Sequence, residues 1–159
     1  TEKEYLAIVR GVPERDGGLI DLPLGPARMS QVRLKIAVIA DGQPSQTEWQ
    51  VVERHPGHAL LRCKLLTGRQ HQIRVHLDAI GHPLFGDKLY GLGEQYFLRH
   101  MNGTLTDQDR QELGLDRHAL HNHRLVFSSP STGERREVVS PLPRDLRALL
   151  EARELDPHE

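Results

Sequence analysis

The chain has 159 residues, enough for one domain with a hydrophobic core, and carries a net charge of −1 at pH 7 with its ten histidines neutral. This balance excludes a protein that binds nucleic acid through its overall charge, so such a role would need local basic clusters. With a single cysteine, no signal peptide and no apolar run of membrane-spanning length, we expect a cytoplasmic protein without a membrane partner.

Strand patterns dominate the first half of the chain. Segments rich in β-forming residues, bounded by glycine and proline turns, fall at 3–10, 19–24, 32–40, 47–53 and 58–66. They predict an antiparallel or mixed sheet. The chain opens at Thr1 almost inside the first of these strands, and domains seldom begin there. We therefore expect residues 1–159 to be a fragment, the C-terminal part of a single domain.

A helix is predicted to follow the last of these strands. Thr67 and Gln70 have the spacing of a capping box, which places the helix start at Thr67. The helix should end at Gly81, with Pro83 as a breaker. A stripe at helical spacing predicts the buried face: Ile73, His76, Leu77 and Ile80.

The opposite face of this helix is polar and predicts an anion site. Arg69 and Arg74, beside the positive end of the helix, suit phosphates or carboxylates outside the fold. Asp78 lies four residues after Arg74 and is a possible surface partner for it. Together with the preceding strands, the arginines form a local basic run that could follow a nucleic-acid backbone: Arg54, Arg62, Lys64, Arg69 and Arg74.

The second half mixes helices and strands. Short helices are predicted at 94–101 and 106–113, strands at 118–127 and 134–140, and a terminal helix at 144–154. The fold class expected is therefore α+β, with a mostly antiparallel sheet and a few flanking helices. Cys63 is expected to be an ordinary buried strand residue.

Three motifs, in order, carry a resemblance to a known family. They are KEYLAIVRG at the start, TGRQHQIRVHL with GHPLFGD and LYG in the middle, and LHNHRLVFSSPSTGERREVVSPLP ending at Pro143. The chain resembles the RluA-type family of RNA pseudouridine synthases over nearly its whole length. Only the segment near 94–115 and the last dozen or so residues lie outside the resemblance.

The resemblance implies a function for each matched position. Tyr5 would stack on the target base and remove its C5 proton, and Arg74 would hold the catalytic aspartate ionised and aimed at the sugar. Arg69 would contact phosphate or tie down a backbone carbonyl, with both alternatives open. His71 and Leu142 would border the substrate.

The family's nucleophilic aspartate is missing from this sequence. It belongs to an H-R-L-D motif, and no aspartate of the chain stands in that context. Asp87, in FGDKLYG, is expected to be a turn or capping residue rather than a substitute. The resemblance thus implies a parent enzyme that isomerises uridines in ribosomal or, less favoured, transfer RNA without cofactor or metal, and a fragment that is inactive alone.

Two other functions compete with this interpretation. The chain could be a non-catalytic RNA-binding module that kept Tyr5 and the arginines. Alternatively, histidines could bind zinc, since alternate strand positions place His121 and His123 on one face. The sequence has no HExxH motif and no CxxC pair, so a zinc enzyme is the least favoured alternative.

Overall fold

The structure, a computed structural model, describes residues 1–154. Its strands are β1 (Glu2–Arg10), β2 (Gly17–Asp21), β3 (Leu24–Pro26), β4 (Ile36–Val38), β5 (Gln46–His55), β6 (His58–Leu65), β7 (Leu120–Ser128) and β8 (Arg135–Val139). Its helices are α1 (Gln72–Ala79), α2 (Gln95–Met101), α3 (Asp107–Leu113) and α4 (Arg144–Glu154). Within this part of the chain, no helix is both long and apolar enough to cross a membrane.

The main sheet has six strands in the order β2-β5-β6-β1-β7-β8, and every neighbouring pair is antiparallel. The predicted α+β class with a mostly antiparallel sheet is confirmed. β1 lies inside the sheet, paired with β6 on one side and β7 on the other. The runs predicted as strands at 3–10 and 58–66 therefore became adjacent central strands.

Each face of the sheet carries a separate hydrophobic cluster, because side chains alternate along β1. Ala7 and Val9 belong to a cluster that includes Ile73 and Leu77 of α1. Leu6 and Ile8 point the other way, into a second cluster built with three leucines of α4, which are Leu146, Leu149 and Leu150. The sheet is therefore packed between α1 and α4.

A small second sheet pairs β3 with β4. The strand predicted at 32–40 is wrong in its extent, since only Ile36–Val38 is extended. Residues around Ser30 are instead tied to Glu94, which accepts from the Ser30 hydroxyl and from Lys35 Nζ. These side-chain contacts anchor the start of the segment outside any strand ladder.

The start of α1 also differs from the sequence prediction. The helix begins at Gln72 after His71, which adopts a left-handed conformation with φ 57°. Thr67 caps nothing in the helix, because its hydroxyl accepts from the Gln46 amide of β5 at 3.0 Å and donates to Gln72 Oε1 at 2.8 Å. The capping-box prediction is wrong. Of the predicted buried stripe, Ile73, His76 and Leu77 are buried and Ile80 is partly buried. The predicted stop at Gly81, with φ 87°, is confirmed.

Candidate functional site

Arg74 and Asp87 form a bidentate, hydrogen-bonded salt bridge. Arg74 Nε donates to Asp87 Oδ2 at 2.8 Å, and Nη2 donates to Oδ1 at 2.9 Å. The Asp87 side chain is 1% exposed and the Arg74 side chain 15%. Parallel donation of this kind fixes the guanidinium in one plane, which a lysine could not reproduce.

The structure differs from the sequence analysis in two respects. Arg74 does not project outward with Asp78 as its partner, but turns toward Asp87 after the helix. The basic run also does not form one surface. Cys63 on β6 faces the α1 side of the sheet, so its neighbours Arg62 and Lys64 face the opposite side. Arg54 pairs with Asp16. The cations of this run are therefore divided between the two faces of the sheet.

Asp87 is also the turn residue that the sequence predicts. Its Oδ1 accepts from the backbone amides of Leu89 at 3.0 Å and Tyr90 at 3.1 Å. Sequence reasoning missed its partnership with Arg74. The available signal was the turn at Gly81 and Pro83, which folds the FGDKLYG motif back along α1.

Tyr90 lies beneath Arg74 and connects it to neighbouring elements. The Arg74 guanidinium carbon is 5.0 Å from the centre of the Tyr90 ring. The Tyr90 hydroxyl accepts from the Ile36 amide of β4 at 2.9 Å and lies 2.8 Å from His71 Nδ1, to which it can donate. Burial, and then the charge of Arg74, lower the pKa of His71, so the imidazole is neutral near pH 7 and can accept this bond.

Tyr5 lies on β1, on the same side of the sheet as α1. Its half-buried ring packs against the cluster that contains Ile73 and Leu77, the neighbours of Arg74 on α1. The pairing of β1 with β7 shifts register between Glu4 and Tyr5. Such irregularities often redirect a side chain beside a functional site. Tyr5 and Arg74, 69 positions apart in sequence, thus reach the same side of one sheet.

Arg69 and His71 border the loop that leads into α1. Arg69 Nε donates to the Pro44 carbonyl at 3.2 Å, while its amide donates to Gln72 Oε1 at 3.0 Å. Arg69 thus makes the bond to a backbone carbonyl that was one of its two predicted functions. Its side chain is exposed and keeps further N–H groups that could bind a ligand. Gln72, fully buried and overlooked in the sequence, organises this loop by also donating to Thr47 and the Gln46 carbonyl.

Leu142 lies elsewhere. It packs against the second cluster, with Leu146 and its neighbours on the α4 side of the sheet. The structure therefore does not bring Leu142 to the face that carries Tyr5 and Arg74.

The histidines considered as zinc ligands are engaged with the protein. His121 Nε2 and His123 Nδ1 lie 3.0 and 2.6 Å from the Ser140 carbonyl, to which each can donate. The described residues contain no group of three or more side chains that could hold a metal ion. Cys63 is fully buried, and burial raises the pKa of its thiol to about 12, as suits a structural residue.

The Asp87 carboxylate is expected to make the free energy of unfolding depend on pH. Burial raises its pKa, but the hydrogen bonds and charge of Arg74, with the two backbone amides, outweigh burial and leave the pKa below its usual value near ~4. A lowered folded-state pKa stabilises the fold above the unfolded-state pKa, and this contribution is lost as pH falls through the folded-state value. We expect the free energy of unfolding of wild type and Asp87→Asn, measured in urea, to differ most at neutral pH and less at pH ~3. A difference that does not change with pH would contradict this.

The fold and site define an α+β protein with a tyrosine on the sheet and a partly buried arginine on the helix that covers the same side. The family model described as RNA pseudouridylate synthase matches residues 1–79. A protein named ribosomal large subunit pseudouridine synthase D from Nitrosomonas europaea is 40% identical over 99% of this chain and 42% of its own length. Its namesake from Vibrio parahaemolyticus is 41% identical over 99% of this chain and 46% of its length.

Solved structures agree with these matches. The structure titled human RNA pseudouridylate synthase domain containing 1 superposes with a TM-score of 0.72 at 27% identity, covering 93% of this chain and 58% of that one. The chain belongs to the RNA pseudouridine synthases, and within them to the RluA-type family. It spans less than half the length of the two curated relatives named above.

Proposed function

We propose that the protein containing this chain isomerises uridine to pseudouridine in structured RNA, ribosomal rather than transfer RNA, in the cytoplasm. One observation carries the proposal: Tyr5 and the rigidly held Arg74 share one side of the sheet. The choice of ribosomal RNA is supported by the relatives named ribosomal large subunit pseudouridine synthase. These 159 residues are proposed to be the C-terminal part of the catalytic domain.

The proposed reaction needs no cofactor. The N-glycosidic bond of the uridine breaks, the base rotates, C5 bonds to the sugar carbon, and the C5 proton leaves. Tyr5 stacks on the flipped base and accepts that proton, since an aromatic ring tolerates rotation of the base. Arg74 orients a carboxylate that attacks the sugar. That carboxylate is proposed to lie in a part of the protein outside these residues, because H-R-L-D does not occur in them.

The substrate contacts proposed on this chain are Arg69 and His71. Both flank the loop before α1, near Tyr90 and the second sheet. The remaining N–H groups of Arg69 would contact RNA phosphate, and the His71 ring would border the base. Leu142 is given no direct contact, because its side chain packs on the α4 side.

Release of tritium from RNA labelled at uridine C5 tests the proposal. The full-length protein is expected to release tritium from ribosomal RNA faster than from transfer RNA. The 159-residue chain by itself is expected to release none and to bind RNA weakly at best. Turnover by this chain alone would show that it is not an incomplete enzyme. RNA binding by the full-length protein without tritium release would favour the non-catalytic RNA-binding module instead.

A further inference from the structure

The Arg74 guanidinium keeps unused hydrogen-bond donors after it binds Asp87. A guanidinium carries five N–H bonds, and Asp87 takes one from Nε and one from Nη2. Among residues 1–152, whose side chains the structure describes, Asp87 is the only hydrogen-bond partner of this side chain. The edge formed by Nη1 and the second Nη2 hydrogen is therefore left for a group from elsewhere.

The orientation of that edge is determined by Asp87, which is itself held by backbone. Its Oδ1 accepts from two amides, at Leu89 and Tyr90. The preceding residue, Gly86, is seated so closely that a Cβ there would lie 1.9 Å from the Arg117 carbonyl oxygen. A carboxylate fixed by main chain in this way has little freedom to follow the arginine, so the arginine must follow the carboxylate.

The Tyr90 ring restricts the guanidinium in the remaining direction. It lies 5.0 Å from the guanidinium carbon, and its hydroxyl is held at both ends by Ile36 and His71. In-plane rotation is limited by the two hydrogen bonds to Asp87, and tilt is limited by the ring. The guanidinium is thus oriented before any ligand arrives.

We propose that Asp87 is a positioning residue for the isomerisation, acting on the reaction only through the orientation of Arg74. This inference rests on the proposed function. It assigns Asp87 no contact with RNA and no proton transfer, because both of its oxygens are already occupied and its side chain is buried. Its function would be to present the free edge of Arg74 to the attacking carboxylate at the right angle.

The test uses the full-length protein and begins with the wild type. If the wild type releases no tritium, the proposed function fails and Asp87 is not in question. If it is active, Asp87→Asn is expected to lower kcat by about 100-fold with KM for RNA changed less than about 3-fold, since misorientation affects the transition state and not RNA binding. Asp78→Asn is the matched control, as Asp78 is a half-buried aspartate on α1 whose carboxylate is not bonded to Arg74. It should leave kcat unchanged.

The double variant separates positioning from other effects. If Asp87 acts only through Arg74, then Arg74→Lys with Asp87→Asn should be no slower than Arg74→Lys alone, within about 3-fold. Losses that multiply would overturn the proposal, as would an unchanged kcat in Asp87→Asn. If Asp87→Asn does not fold, Asp87→Glu keeps the charge and displaces it by one methylene. A folded Asp87→Glu with wild-type kcat would overturn the proposal equally.

Discussion

Arg74→Lys in the full-length protein is expected to lower kcat by about 100-fold or more while leaving affinity for RNA within a few fold. Lysine keeps the charge but can make one contact where arginine makes two parallel ones. One of the two hydrogen bonds to Asp87 would then be lost, and the second edge of the side chain would disappear. Steady-state tritium release and an RNA-binding titration on the same preparation measure the two quantities.

A surface pair provides the matched control for this variant. Arg117 and Asp145 also form a bidentate salt bridge, with Nε–Oδ2 at 3.0 Å and Nη2–Oδ1 at 3.1 Å, but both side chains are nearly half exposed. Arg117→Lys should leave kcat and affinity unchanged. If Arg74→Lys instead reduced turnover and affinity equally, Arg74 would be a phosphate ligand and not an orienting group.

Gly86→Ala is expected to destabilise the protein by more than about 3 kcal/mol, the sum of backbone strain and steric overlap. Gly86 has φ 74°, a region that L-residues avoid. The added Cβ would also lie 1.9 Å from the Arg117 carbonyl oxygen, so the chain must move. Urea unfolding measures the loss of stability.

Gly81→Ala separates these two contributions. Gly81 has a similar φ of 87°, but a Cβ there meets no atom within 4 Å. It should cost only the conformational part, about 1–2 kcal/mol. Equal losses for the two variants would mean that the close approach beside Asp87 is not a constraint on the fold.

The types of most elements were predictable because their signals are local. The β-forming residues in 3–10 and 58–66 predicted the strands that became β1 and β6. The helix at 106–113 was recognised from acidic residues near its start, and Thr106 and Asp109 form a reciprocal cap there. The cap predicted at Thr67 failed because that hydroxyl is bound by the amide of Gln46, a long-range contact that no local pattern contains.

The same distinction separates what was predictable at the site from what was not. The sequence by itself determined the α+β class, the buried stripe of α1 and, through ordered motifs, the family. Only the tertiary structure decided the partner of Arg74. Helical spacing offers Asp78, four positions on, as a possible local partner, whereas the turn at Gly81 and the close packing at Gly86 bring Asp87 into contact. A bidentate salt bridge to a carboxylate held by main-chain amides is stronger than an i,i+4 ion pair on a helix surface. The tertiary contact with Asp87 therefore overrides the local pair with Asp78.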